Sequence, residues 1–359
     1  MDRKIAMPGI DSSKSIFQCH GANAAGQCVF RKRLRRNTPV EFVANLPKCA
    51  IVAEACGGAH YLARKFRSFG HEARPVAPQQ VKPFVKSNKD DAADAEAIVE
   101  AASRPHMHFV PIRQVWQRDL QGYRRVRQRS VRNKTAPTDE IRGLLFEYGV
   151  AVAQGDSTPI KKLPELLANE SDTPTEMTKA PMQDLFSEFV ELEQKIAEYE
   201  SKLEAPGKKG SDYRRPNGIR EFGSIATAAL TIALADPRVF RNGRHFAAWL
   251  GLVPKHIGTG GFNRNRGIGK RGDSYLRNLL IHGAGAIVYG VRPKATKNES
   301  LSDPLERWVF GLYERKGTNR AAVALANKNA RIAWALTAHG HPYDVRPAGS
   351  FSNGEAAWF

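Results

Sequence analysis

The stretch IAMPGIDSSKSIFQCH, residues 5–20, places two apolar runs on either side of an aspartate. Ile5–Ile10 reads as a strand leading into Asp11, and Ser15–His20 reads as a second strand. Asn23–Gly26 supplies turn residues, so the second run and a third at Gln27–Leu34 form a hairpin. Ala50–Ala53 is a short apolar run of the kind a buried strand uses, and it ends on Glu54. Gly57 and Gly58 break it before a helical stretch at His60–Phe69. Val76 and Ala77 suggest another short strand, and Asp90–Ala102 is Ala-rich and helical. Strands followed by alternating strand and helix predict an α/β domain spanning residues 1–150.

Further along, residues 113–148 read as one helical region. Its 113–142 segment carries nine Arg or Lys and three acids. Pro137 interrupts it, and a proline in a helix interior costs about 3 kcal/mol, so a kink or break is expected there. Residues 151–215 read as a linker with a helical arm. Within it Leu185, Phe189, Leu192, Ile196, Tyr199 and Leu203 alternate at spacings of four and three, a heptad seam. Such a seam serves either an amphipathic helix packed on its own domain or a coiled coil that dimerises. Pro206–Asn217 ends the helix, and a mainly helical domain is expected over 216–345, followed by a tail at 346–359.

A chain of 359 residues fits two domains better than one. The formal net charge of +19 favours a polyanionic partner, most often nucleic acid. No apolar run approaches the roughly 20 residues that cross a bilayer, and the N-terminus lacks a signal-peptide core. No membrane partner is expected, and a cytoplasmic, nucleoid-associated protein is. Cys19, Cys28, Cys49 and Cys56 contain no C-x-x-C pair, so they read as reduced, partly buried thiols rather than a zinc site.

The acids carry the sharper signal. Asp11 and Glu54 end strands, and Asp91 and Asp94 lie three apart on one helix face. Strand-end acids and a helical pair can converge at one sheet edge, where they repel unless hard cations bind among them. Two Mg²⁺ about 3.5–4 Å apart would serve phosphodiester transfer. Taken singly, each acid also has a plain explanation as a turn, loop or helix-dipole residue. In the second half, residues 241–277 hold eight Arg or Lys against the single acid Asp273, punctuated by glycines. That composition lets backbone amides and cations approach phosphates; a solvated basic loop is the plain alternative. Arg124, Arg125, Arg127, Arg129, Arg132, Arg264, Arg266, Lys270 and Arg271 are the expected nucleic-acid contacts.

GID at 9–11, EACGGAHY at 54–61 and APQQVKPFVKSNKDDAADAEAI at 77–98 resemble the DEDD transposases of insertion-sequence family one-ten, nearest its eleven-eleven subgroup. FRNGRHFAAWLGLVPK at 240–255, GKRGDSYLRNLLIHGA at 269–284 and AAVALANKNARIAWALTAHG at 321–340 agree. The resemblance covers most of the chain. It implies an RNase H-like (RuvC-like) first domain whose metal-binding acids are Asp11, Glu54, Asp91 and Asp94, with Mg²⁺ as cofactor. It also implies a coiled-coil linker and a helical C-terminal transposase domain whose serine attacks DNA and becomes covalently linked to it. The implied partners are donor and target DNA, a structured guide RNA encoded by the element, and further copies of the chain in a dimer or tetramer. Acids of one subunit would then meet the nucleophile of another.

Three positions depart from the family pattern. The expected Ser-Gly step is Thr259-Gly260, and Thr259 is the only hydroxyl in 241–273. A threonine hydroxyl can attack phosphorus, although its methyl crowds the approach. Arg220-Glu221-Phe222-Gly223 stands where a glycine-rich turn is usual, and Pro137 falls where the helix is normally continuous. These departures admit a second expectation, a decayed copy that binds nucleic acid without catalysis. An actin-like ATPase or sugar kinase would need further glycine-rich phosphate loops, of which no convincing set is present. A junction-resolving nuclease would have no use for the second domain.

Overall fold

The acid-bearing strand lies at the centre of a mixed sheet in a computed structural model of the chain. Described are residues 5–85, 91–152, 160, 163–168, 174–204, 219, 222–259, 262–296 and 303–340, excepting the side chains of 166, 259, 262–265 and 293–296. Two compact units form, Met1–Gln117 with Ala235–Arg241 and Arg118–Leu234 with Asn242–Phe359.

The first unit holds β1 (Met7–Ser12), β2 (Ile16–Ala22), β3 (Cys28–Arg35), β4 (Ala50–Glu54) and β5 (Glu72–Val76) in the order β3-β2-β1-β4-β5. β2 pairs antiparallel with β1 and β3, whereas β1/β4 and β4/β5 are parallel. This mixed sheet agrees with an RNase H-like fold. Asn23 Oδ1 accepts from the Ala25 and Gln27 amides at 3.0 and 2.9 Å, which closes the β2–β3 turn where sequence placed it. Helices α1 (Pro39–Ala44), α2 (Ala59–Ser68), α3 (Pro78–Val81) and α4 (Asp91–Ala102) complete the unit. One sheet face buries Ile10, Phe17, Ile51, Leu62 and Phe66 with α1 and α2. The other buries Val52, Val76, Ala97, Ile98 and Ala101 with α4. Residues two apart on a strand share a face, so Gly9 and Asp11, like Val52 and Glu54, belong to the α4 side. β5 is a five-residue strand, longer than the Val76–Ala77 signal; its polar alternation, EARPV, hid it.

The second unit is mainly helical. Its helices are α5 (Val115–Asn133), α6 (Thr135–Glu147), α7 (Leu163–Ala168), α8 (Glu176–Glu204), α9 (Ser224–Ala233), α10 (Gly243–Trp249), α11 (Ser274–Thr296), α12 (Pro304–Lys316) and α13 (Thr318–His339). The expected interruption near Pro137 lies at Lys134, between α5 and α6. Pro137 sits in the first turn of α6, where a missing N–H costs no intrahelical hydrogen bond, and it is buried there.

The heptad seam is covered by the chain's own helices, so the dimerising coiled coil is not confirmed. Leu185 and Phe189 pack with Ile141 and Leu145 of α6 and Leu163 of α7. Leu203 packs with Leu120 of α5 and with Ala228 and Ile232 of α9. Ion pairs Arg127–Glu200 (2.6 Å) and Lys134–Glu193 (3.2 Å) run α5 antiparallel along α8. A seam of this spacing does not distinguish a partner helix on another chain from one on its own chain. Residues 254–268, read from sequence as a glycine-punctuated loop, hold a hairpin of β6 (Pro254–Thr259) and β7 (Phe262–Ile268).

Candidate active site and nucleic-acid-binding segments

Asp11 sits near the C-terminal end of β1, with Glu54 ending the parallel neighbour β4; Ile10 and Ala53 are the last registered pair before them. α4 crosses β1 at Gly9. A Cβ built there would lie 2.5 Å from Val99 Cγ2 and 2.7 Å from the Ala95 carbonyl oxygen. Only a glycine lets the helix backbone come this close. The Ala-rich sequence of α4 supplies the matching small side chains, with Ala95, Ala97 and Ala101 buried. The same crossing sets Asp91 and Asp94, in the first turn of α4, beside Asp11. One carboxylate oxygen from each of Asp11, Asp91 and Asp94 lies within 4.8 Å of the others.

Glu54 lies outside this tight group but feels it. Burial, then repulsion from Asp11 and Asp94, raises its pKa above the ordinary value. The Asp11 pKa is also raised, by burial first and then by Asp94 and Asp91, with the Ser12 backbone amide opposing the shift. Carboxylates this close concentrate negative charge in one place. An all-oxygen donor set of this kind fits a hard divalent cation better than zinc or copper. Among the sequence-predicted acids, three are therefore brought together and the fourth is within electrostatic reach.

The basic residues divide. Arg125, Arg129 and Arg132 of α5 are exposed, as are Arg266, Lys270 and Arg271. Arg124 is buried: it lies 3.7 Å from Asp273 Oδ2 and stacks 4.5 Å over the Tyr275 ring. Arg127 donates to Glu200 Oε1 through Nε and Nη2 at 2.9 and 2.6 Å. Arg124 and Arg127 thus make contacts within their own unit, whereas Arg125, Arg129 and Arg132 of the same helix face outward. Counting charge along α5 could not separate its two faces, because both carry arginines. The Arg264 side chain lies outside the description.

Thr259 is the last residue of β6, paired with Phe262; its side chain too lies outside the described residues. The base of the hairpin is built firmly. The Gly269 amide donates to the Val253 carbonyl at 2.9 Å, and Lys270 takes a left-handed backbone (φ 55). Gly272 has φ 74, and a Cβ there would lie 1.9 Å from the Trp249 carbonyl oxygen. Asp273 Oδ1 accepts from the Leu276 amide at 3.0 Å, while buried Arg277 donates to the Leu250 and Arg271 carbonyls at 3.0 and 2.8 Å. Composition counted Asp273 and Arg277 as charge; the -GDSYLR- spacing of a capping Asp before a helix was the signal for their structural use. Of the departing turn, Gly223 precedes the first residue of α9 and Phe222 is buried; Arg220 and Glu221 lie outside the described residues.

A family model described as "Transposase", DEDD_Tnp_IS110, matches residues 8–150, and one described as "Transposase IS116/IS110/IS902 family" matches residues 217–298. A "Probable family 20 transposase" of Pseudomonas aeruginosa is 45% identical over 330 residues, covering 91% of this chain and 95% of that protein. The chain belongs to this transposase family. The "Transposase for insertion sequence element IS1111A" of Coxiella burnetii is 40% identical, covering 95% of this chain and 92% of that protein. The "Transposase for insertion sequence element IS1328" of Yersinia enterocolitica is 36% identical, covering 94% and 98%. As a transposase the protein is an enzyme of DNA strand transfer, with DNA as a partner. The DEDD class implies use of a divalent metal, and Asp11, Asp91 and Asp94 form a carboxylate cluster. Among the described residues no helix is long and apolar enough to cross a membrane.

Proposed function

We propose that this transposase exchanges DNA strands by a hydroxyl-nucleophile mechanism centred on Asp11, Glu54, Asp91 and Asp94, with Mg²⁺ as the metal. The observation that carries this is the approach of the Asp11, Asp91 and Asp94 oxygens to within 4.8 Å. A divalent cation held there would neutralise the carboxylates and stabilise charge on the phosphate under attack. Thr259 is the proposed nucleophile. Its Oγ1–P bond forms as one P–O ester bond of the DNA breaks, its proton passes to a base or solvent, and the displaced sugar oxygen leaves protonated. Asn263, Arg264, Arg266, Lys270 and Arg271 supply positive charge and donors for the phosphate, with Arg125, Arg129 and Arg132 gripping backbone elsewhere. A structured RNA from the element guides donor and target DNA, and the working form is a homo-oligomer, a dimer or tetramer, in which acids of one subunit serve the Thr259 of another. Retained acids and an accommodated Pro137 favour this over a decayed copy that only binds nucleic acid.

Asp91→Asn tests the proposal. It should abolish strand exchange while RNA and DNA binding stay close to wild type. Unchanged recombination would refute the role of the cluster.

A further inference from the structure

The last residue of β1 and a residue just past β4 are joined by a side-chain contact. Ser12 Oγ lies 3.0 Å from Cys56 Sγ, and the thiol also lies 3.8 Å from the Ser12 carbonyl oxygen. Ser12 follows Asp11 directly, and Cys56 is two residues past Glu54. The chain turns sharply to make this possible. The Cys56 amide donates to the Glu54 carbonyl at 2.8 Å, and the Ala55 amide donates to the Val76 carbonyl at 2.7 Å. Ala55 is thereby tied to β5, and Cys56 swings back towards β1. The ladder between β1 and β4 ends at Ile10 and Ala53, so backbone hydrogen bonds between these strands stop just short of the two acids. The Ser12–Cys56 contact closes the gap on the far side of them.

We propose that Ser12 and Cys56 are positioning residues that fix the separation of Asp11 and Glu54, so that Cys56 tunes divalent-cation binding without ligating the cation. This rests on the acid cluster being the cation site. A thiol is a soft ligand and a poor match for a hard cation, whereas a short contact to a hydroxyl suits a packing and hydrogen-bonding role. Outer partners of metal ligands commonly alter affinity by about 10–100-fold.

Calorimetric titration of the full chain with MnCl₂ tests the proposal, with cation-free thermal melts as the folding control. Cys56→Ala should weaken Mn²⁺ binding by about tenfold, while Cys56→Ser, which keeps a donor and acceptor, should stay within about threefold of wild type. If Cys56→Ala does not fold, Ser12→Ala deletes the same contact and should give the same loss; the double substitution should be no worse than either single one. Asp94→Asn should remove binding outright, and full binding by that variant would refute the cation site itself. With Asp94→Asn behaving as expected, wild-type affinity in both Cys56→Ala and Ser12→Ala would overturn the positioning role. A Cys56→Ser loss as large as that of Cys56→Ala would also overturn it, because sulfur would then be touching the cation.

Discussion

A methyl group added at Gly9 would meet Val99 and the Ala95 carbonyl at distances no real Cβ tolerates. Gly9→Ala should therefore push α4 off β1, destabilising the unit by about 1–3 kcal/mol as over-packing usually does. Because α4 carries Asp91 and Asp94, strand transfer should fall far more than the loss of folded protein explains; a urea melt run beside an activity assay separates the two. Asp11 offers a second test. Its folded pKa is raised, so the native state holds this proton more tightly than the unfolded chain, whose Asp value is near 3.8. Stability from this group is greatest at low pH and declines as pH rises from that value through the raised folded pKa. Glu54 acts in the same direction from its ordinary value of 4.5. Cation-free Asp11→Asn should then melt higher than wild type at neutral pH, with the difference vanishing in acid. A lower neutral-pH midpoint for the variant would contradict the repulsion on which the site depends. The four acids were legible from their places at strand ends and a helix start. Gly9 was legible only as part of GID, since its need arises from a helix some ninety residues on.

Helix α5 shows how far an element can be read from charge. Its arginines look alike in sequence, yet Arg124 and Arg127 face partners within the unit while Arg125, Arg129 and Arg132 are exposed. Arg124→Ala removes an ion pair with Asp273 and a stack on Tyr275, and should destabilise by about 1–3 kcal/mol. Arg125→Ala with Arg129→Ala should change stability by no more than about 0.5 kcal/mol per site. The same pair should reduce the slope of log affinity for DNA against log salt by up to about two units. Equal effects on stability from both sets, measured by denaturant titration, would contradict the division of the helix into two faces. The α8 seam was legible as a seam but not as to its partner, because α5, α6 and α9 present the same kind of apolar surface that a second copy would. The β6–β7 hairpin escaped for a different reason: its glycines and asparagines carry weak strand preference, so the pattern does not announce the paired strands.

At the scale of the whole molecule, the excess of 55 Lys and Arg over 36 acids suits a protein that acts on DNA, and the proposed function assigns the carboxylate cluster of the first unit and the hairpin of the second to one reaction. The polyanionic partner followed from charge. The mixed α/β sheet followed from the run of strands, whereas the division at residue 117 did not, because α5 continues the helical pattern that sequence assigned to the first domain. Formation of a covalent protein–DNA adduct tests the central claim most directly. End-labelled element DNA, with its RNA and Mg²⁺, is incubated with the protein and resolved on a denaturing gel. Wild type should give an adduct, Thr259→Ser more of it because the crowding methyl is gone, and Thr259→Ala and Asp94→Asn none. An adduct from Thr259→Ala equal to wild type would place the nucleophile elsewhere, with Ser224 and Ser274 the next hydroxyls to test, and an equal adduct from Asp94→Asn would contradict the carboxylate centre.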